Sequence, residues 1–247
     1  MSHTYRFDSI GDSRSTQECN ALQMMASNFE ASPFSTLEKI LNFPLYVPRQ
    51  NLTTFLVKYE IMKRILNVHG SIIECGVGFG GGLMTWAQLS AILEPTNHQR
   101  RVIGFDTFSG FPSVRPDDHA SVGDLAVDSA EEIQKCAVHY DLNRSVGHIP
   151  KLELVRGDIT QMVPDYIERN PHLVVSLLYI DCDIYQPTYA ALHHLRTRMP
   201  VGSIIAFDEL NLSAWPGETQ ALHAALGIEM LKLERCAFGS TISWAVL

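Results

Sequence analysis

The stretch Ile72-Ile73-Glu74-Cys75-Gly76-Val77-Gly78-Phe79-Gly80-Gly81-Gly82 constrains the fold more than any other part of this chain. An apolar run ends on a carboxylate, breaks into a glycine-dense turn and leads into a helix-compatible segment from Leu83 to Leu93. Glycines let a backbone turn tightly at a strand end and bring its N–H groups close to a ligand, which is how α/β sheets build nucleotide-type sites. Four later apolar runs stop in the same manner. Asp106 follows Val102-Ile103-Gly104-Phe105, and Asp158 comes just after Leu152-Glu153-Leu154-Val155. Asp181 follows the run from Val174 to Ile180, and Asp208 follows Ile204-Ile205-Ala206-Phe207. In a parallel sheet such runs share one direction, so their ends share one edge. Glu74 and the four aspartates are therefore expected to line one crevice.

The order strand 71–75, helix 83–93, strand 102–106 demands a parallel sheet with crossover helices. Ahead of it, Phe55, Leu56, Tyr59, Met62, Ile65 and Leu66 recur at helical spacing from Leu52 onward, and His69-Gly70 stops that helix. Further along, the pattern predicts a helix from Ser129 to Tyr140, strands at 152–155 and 174–181, a helix at 187–198 and a strand at 202–207. The fold class is α/β, a three-layer Rossmann-like sheet that is mostly parallel. Residues 1–50 have weak periodicity, several Ser and Asn, and Pro33, Pro44 and Pro48. They read as an N-terminal extension or lid, leaving 51–247 as one domain. Between Thr107 and Val127 lies a Pro-, Gly-, Ser- and Asp-rich stretch without a clear period, and long loops of that kind inside compact domains often serve as lids. Two strand-like runs, Ile228 to Arg235 and Ser240 to Val246, flank Cys236-Ala237-Phe238-Gly239 and read as a C-terminal antiparallel hairpin. This layout resembles the sheet of class I S-adenosylmethionine (SAM) dependent methyltransferases, which carries an antiparallel strand near its edge. No internal repeat interrupts the pattern.

Composition narrows the partners. Of 247 residues 46% are hydrophobic and 19% charged, enough apolar material for a real core. The formal net charge of -8, with no basic run beyond Arg100-Arg101, makes nucleic acid a poor partner because the average surface repels a polyphosphate. Five cysteines without a Cys-x-x-Cys pair fit reduced thiols better than a disulfide framework or a zinc site. The stretch Met1 to Ser15 is polar and lacks the apolar core of a signal peptide, and no apolar run reaches the length of a membrane span. A soluble cytoplasmic protein is expected.

The spacing Gly76-x-Gly78-x-x-Gly81 formally satisfies the dinucleotide fingerprint, so a NAD-dependent oxidoreductase is one reading. Against it, Asp106 lies 106 minus 81, or 25, residues beyond the last fingerprint glycine, slightly far for that role. A non-catalytic SAM- or nucleotide-binding protein is another, since fold does not fix function.

Five motifs together favour a third reading. They are Glu74-Cys-Gly-Val-Gly, Gly104-Phe-Asp-Thr-Phe-Ser-Gly-Phe111, Tyr179-Ile-Asp-Cys-Asp-Ile-Tyr185 with Pro187-Thr188, Phe207-Asp-Glu209, and Pro216-Gly217-Glu218. In this order, over roughly Leu52 to Leu226, they resemble the macrocin O-methyltransferase (TylF-like) family, which methylates sugar hydroxyls of natural products with SAM and a divalent metal. Many members carry paired aspartates where this chain has Asp208-Glu209, and others have an aromatic and an arginine where it has Phe79-Gly80.

The resemblance implies roles for particular residues. Glu74, Gly76, Val77 and Gly78 would hold the methionine end of SAM, helped by the helix start near Leu83. Asp106, with Thr107 and Phe108, would accept the ribose hydroxyls. Gly157, Asp158 and Ile159 would meet the adenine, although Asp158 competes as an N-cap of the helix containing Met162 and Tyr166. Asp181, Asp208 and Glu209 would bind Mg²⁺ or a similar hard cation, since three converging carboxylates repel one another without one. Asp181 would also be the catalytic base, taking the proton of an acceptor hydroxyl. Asp183 is kept out of that shell as a turn residue, and Glu218 is expected to meet a sugar hydroxyl or cap the next helix. The implied partner is a small acceptor, a sugar or glycosylated metabolite, and a homo-oligomer is expected. Adjacent His193 and His194 point to different helix faces and do not form a metal pair.

Overall fold

The computed structural model describes residues 15–239 and 241–247. The polar stretch Met1 to Ser15 therefore lies outside the described residues except for Ser15, as does Ser240 at the head of the expected last strand. The chain divides into two compact units, Met1–Thr54 and Phe55–Leu247.

The described part of the first unit is helical: α1 spans Thr16–Ala31 and α2 spans Thr36–Leu41, followed by a 3₁₀ turn at Phe43–Leu45. Each helix opens with a reciprocal capping box, Ser15 with Glu18 and Ser35 with Glu38. Phe29 meets Tyr46 edge to face at 5.1 Å, and the Lys39 ammonium donates to the Phe29 carbonyl at 2.5 Å. No residue of α1 is buried, and in α2 only Lys39 is. These helices are written in caps rather than in an apolar stripe, which is why periodicity reads the segment as irregular.

α3 runs Arg49–Ile65, three residues ahead of the apolar spacing, and presents Val57, Ile61, Met62 and Ile65 to the core. Strands and helices then alternate: β1 Ser71–Cys75, α4 Gly81–Leu93, β2 Val102–Asp106, α5 Ala130–Leu142, β3 Leu152–Arg156, α6 Ile159–Arg169, β4 Val175–Ile180, α7 Tyr185–Leu195, β5 Ile204–Phe207 and α8 Gly217–Ala225. The chain closes with β6 Glu234–Arg235 and β7 Ser243–Val246. The seven strands lie in the order β3-β2-β1-β4-β5-β7-β6. β1 to β5 are parallel, whereas β7 pairs antiparallel with β5 and β6. The C-terminal hairpin exists but is shorter than its apolar pattern: Ile228–Met230 forms a 3₁₀ turn, and only Glu234 and Arg235 pair with β7.

Alternation along the strands fills two cores. Ile72, Leu177, Tyr179, Ile204, Ala206 and Trp244 face α3, α4 and α5, while Ile73, Cys75, Leu178, Ile180, Ile205 and Phe207 face α6, α7 and α8. Strands buried on both faces must read as continuous apolar runs, and that is the pattern that locates β1, β4 and β5.

The order of the sheet reverses between β1 and β4, and the ladder continues one residue past several strand ends. Gly76 N–H donates to the Phe105 carbonyl at 2.9 Å, Asp181 N–H to Cys75 at 2.8 Å, Asp208 N–H to Ile180 at 2.9 Å, and Gly157 N–H to Asp106 at 2.9 Å. These bonds fix four loop starts along one carboxyl edge, the crevice where open α/β sheets bind ligands.

Candidate active site

At that edge lies a cleft of about 360 Å³, a size suited to one small molecule. Gly76, Val77, Gly78, Asp106, Thr107, Asp158, Ile159 and Asp181, all expected site residues, line it. A β-carbon on Gly78 or Gly81 would meet nothing within 4 Å, so both leave room in the cleft itself. At Gly76, with φ of +88°, a β-carbon would stand 1.8 Å from the Asp181 carbonyl oxygen. Glycine there lets β1 and β4 end side by side.

Asp106 organises the loop facing it. One carboxylate oxygen accepts the N–H groups of Val77 and Gly78 at 2.7 and 2.9 Å, and the other accepts the N–H of Phe108 at 2.7 Å. A carboxylate offers about four acceptor positions, so a grip on both ribose hydroxyls requires one of these amides to let go. Phe108, held at a φ of +55°, is buried in the core instead of lining the cleft, and Gly157 is not among the lining residues either. Asp158 lines the cleft and also caps α6 by accepting the Thr160 N–H at 2.9 Å.

Glu74 departs from the expectation. Its side chain turns into the core, where the Lys58 ammonium lies 3.2 Å away and the Trp86 indole N–H donates at 2.7 Å. It is about 1% exposed and forms no part of the cleft lining. Strand alternation explains the correction, since a residue before the strand end points across the sheet and not off its edge.

The acidic end of the cleft is richer than the sequence pattern suggests. Asp183, left out as a turn residue, lines the cleft beside Asp181 and holds a φ of +59°. Such a conformation in a non-glycine residue is retained where the surroundings enforce it. Burial, then Asp208 and Asp183, pushes the Asp181 carboxyl well above its ordinary range. Burial, then Asp208, pushes Asp183 up to about 7, and burial, then Asp183 and Asp208, pushes Glu209 up to about 8. Asp208 accepts a hydrogen bond from the Tyr179 hydroxyl. Glu218 neither meets the cleft nor simply caps its own helix. Its two oxygens accept Cys182 N–H at 3.0 Å and Glu209 N–H at 3.3 Å, tying the loops after β4 and β5 together. Gly217 permits this, because a β-carbon there would stand 2.5 Å from Tyr185 N and 2.6 Å from the Asp183 carbonyl.

A divalent cation suits this chemistry, with one correction to the expected ligand set. Among the described residues no three His, Cys, Asp or Glu side chains stand in a metal-holding arrangement, so Asp181, Asp208 and Glu209 do not form a ready cage. Mg²⁺ commonly takes one or two protein carboxylates and completes its shell with water and substrate oxygens. Asp181 and Asp208, one residue past the paired ends Ile180 and Phe207 of β4 and β5, offer that pair. One Glu209 oxygen is buried with no hydrogen-bond partner among the described residues, a polar atom that a cation or its water would satisfy.

The raised carboxyls set a pH dependence. Unfolded, Asp and Glu titrate near 4, so between about pH 5 and 8 the folded protein holds more protons than the unfolded chain. Stability then falls as pH rises through that window. The Tm of metal-free protein is expected to drop from pH 5 to 8 in scanning calorimetry, and Mg²⁺ added at pH 8 to recover part of the loss. A Tm that climbs across the window contradicts the burial of these groups.

The loop 107–127 is pinned to α7. It carries a 3₁₀ turn at Pro116–Asp118, and buried Asp118 accepts the N–H groups of Tyr185 at 3.0 Å and Arg115 at 2.7 Å. Ser113 bonds Gln186 at 3.0 Å, and Phe111, Pro112, Ser113 and Leu125 face the cleft. All five cysteines are free, and no described helix is long and apolar enough to cross a membrane.

Residues 52–225 match the family model of the macrocin O-methyltransferases (TylF). Among solved structures, the chain is similar to CalS11, a calicheamicin methyltransferase, at 33% identity and TM-score 0.92 over 99% of both chains. An apo structure of CalS11, described as a TDP-rhamnose 3'-O-methyltransferase of calicheamicin biosynthesis, matches at 32% identity and TM-score 0.85 over 94% of this chain and 95% of the other. The O-methyltransferase NovP, at 20% identity and TM-score 0.59 over 82% and 81%, shares the fold. No curated protein sequence matches.

Proposed function

The chain belongs to the macrocin O-methyltransferase (TylF) family, and on that premise we propose that it methylates a hydroxyl of a deoxysugar, using SAM and a divalent cation held at Asp181 and Asp208. Its seven-stranded sheet is that of the class I SAM-dependent methyltransferases, and the protein is an O-methyltransferase. The sugar is carried by a nucleoside diphosphate, like the TDP-rhamnose of the similar CalS11, or by a glycosylated natural product.

One observation carries the reading. The charged side chains lining the cleft are five aspartates, 106, 124, 158, 181 and 183, and among the described residues no Lys, Arg or His joins them. Such a lining favours the sulfonium of the cofactor and a metal cation.

The residues divide the work as follows. The glycine loop after β1, which Asp106 holds through the Val77 and Gly78 N–H groups, and the start of α4 would face the methionine end of the cofactor. Asp158 and Ile159 face the cleft from the neighbouring loop, where the adenine would lie. Asp181 and Asp208 would hold a divalent cation, which would supply positive charge that lowers the pKa of an acceptor hydroxyl. Asp181 accepts the hydroxyl proton on a carboxylate oxygen as the oxygen takes the sulfonium methyl, leaving an ether and S-adenosylhomocysteine. Phe111, Pro112 and Leu125 cover the cleft and exclude water while charge is displaced. Positioning supplies much of the acceleration, since the displacement needs only an in-line approach.

The test is methyl transfer itself. Protein incubated with methyl-labelled SAM and Mg²⁺ should place label as a sugar methyl ether on TDP-rhamnose or on a rhamnosylated glycoside. Label that never leaves SAM with either acceptor, nor with a catechol as the other vicinal diol, contradicts the assignment.

A further inference from the structure

We propose that Tyr179, braced by the buried Lys58–Glu74 pair, is a positioning residue that fixes the Asp208 carboxylate just past the end of β5. The inference rests on the reading that Asp208 holds a divalent cation. Tyr179 lies on β4 two residues before Asp181 and is fully buried in the core that faces α3, α4 and α5. Its hydroxyl donates to Asp208 Oδ1. A buried phenol normally finds such a partner, but this one ends on a candidate metal ligand and not on a backbone carbonyl.

Behind the phenol stands a buried cation. The Lys58 ammonium sits 4.0 Å from the centroid of the Tyr179 ring and 5.0 Å from that of Trp86. It pairs with Glu74 Oε2 at 3.2 Å, and the same oxygen accepts the Trp86 indole N–H at 2.7 Å. Lys58 and Glu74 are 2% and 1% exposed. A buried ion pair stabilises a protein no better than well-packed apolar residues of the same volume, so its presence points to a demand for specific geometry. Here the ammonium lies over one face of the Tyr179 ring, the Trp86 ring meets it edge on at 5.6 Å, and the hydroxyl donates to Asp208. The brace also touches the cofactor loop: a β-carbon at Gly82 would stand 2.5 Å from Lys58 Nζ and 2.6 Å from Glu74 Oε1. One polar core thus sets the start of α4 and the carboxylate at the end of β5.

Outer partners of metal ligands typically change metal affinity by about 10- to 100-fold when removed. Tyr179→Phe keeps the ring and deletes the donor. Mn²⁺ binding, followed by the loss of the free-ion paramagnetic resonance signal, is expected to weaken by about that factor, with SAM affinity by calorimetry unchanged. A loss confined to Mn²⁺ separates positioning from general damage to the fold. Wild-type Mn²⁺ affinity in Tyr179→Phe overturns the inference, whereas a wild-type protein that binds no Mn²⁺ overturns the metal reading and this inference with it. Should Tyr179→Phe fail to fold, the Lys58→Met/Glu74→Gln double variant removes the brace and keeps the phenol. It is expected to weaken Mn²⁺ in the same direction, and unchanged binding there overturns the proposal.

Discussion

Asp181→Asn is expected to lower kcat by about 10²- to 10⁴-fold, the usual worth of a general base, while SAM affinity stays close to that of the unaltered protein. The amide keeps the size of the side chain and leaves the Asp181 N–H bond to Cys75 intact, so the β4 end keeps its place in the sheet. On the proposed mechanism the variant would lack the proton acceptor and one of the carboxylates that would hold the cation. Stopped reactions under saturating SAM, together with calorimetric titration, separate the two quantities. Asp183→Asn is the matched control, because Asp183 lines the same cleft and also carries a raised pKa. A larger loss in Asp183→Asn than in Asp181→Asn would move the proton acceptor two residues along the loop.

Glu74→Ala should produce the largest loss of stability at any single position considered, about 3 to 5 kcal/mol, the cost of leaving a buried charge without its partner. Lys58 would keep its place between two aromatic rings with no carboxylate beside it, and the Trp86 indole N–H would lose its acceptor as well. Glu74→Gln retains an acceptor for Trp86 and should cost less. Adding Lys58→Met to Glu74→Gln should recover much of the loss, since an apolar replacement of a whole buried pair is often neutral. Urea unfolding of the four proteins checks the series. A Glu74→Ala protein as stable as its parent would place Glu74 outside the core, at the cleft edge that its position ahead of the glycine loop suggests.

The sheet was legible because burial on both faces leaves long apolar runs, and because each run in β2, β4 and β5 ends at or just before an aspartate. The same rule that located these ends misplaced Glu74. A carboxylate inside a strand and one just past it look alike in sequence, yet they face the core and the crevice respectively. Glu218 was hidden for a different reason: it reaches the two acidic loops across space through Cys182 and Glu209, and no local pattern announces such a bond. Lys58 appeared as a polar position on an amphipathic helix, where a solvated lysine is the ordinary expectation. Asp183 was visible as the second aspartate of Asp181-Cys182-Asp183, but only its left-handed backbone shows why it turns into the cleft. The N-terminal helices carry their signal in Ser15-x-x-Glu18 and Ser35-x-x-Glu38, which a search for apolar periodicity passes over.

On the proposal that the carboxylates after β4 and β5 work with a divalent cation on a sugar hydroxyl, methyl transfer requires that cation. Protein stripped with EDTA and freed of the chelator, then assayed for methyl transfer to TDP-rhamnose with and without Mg²⁺, tests it most directly. Turnover that vanishes on stripping and returns with Mg²⁺, while SAM binding persists throughout, is the expected result. Full turnover in the continued presence of EDTA would contradict it.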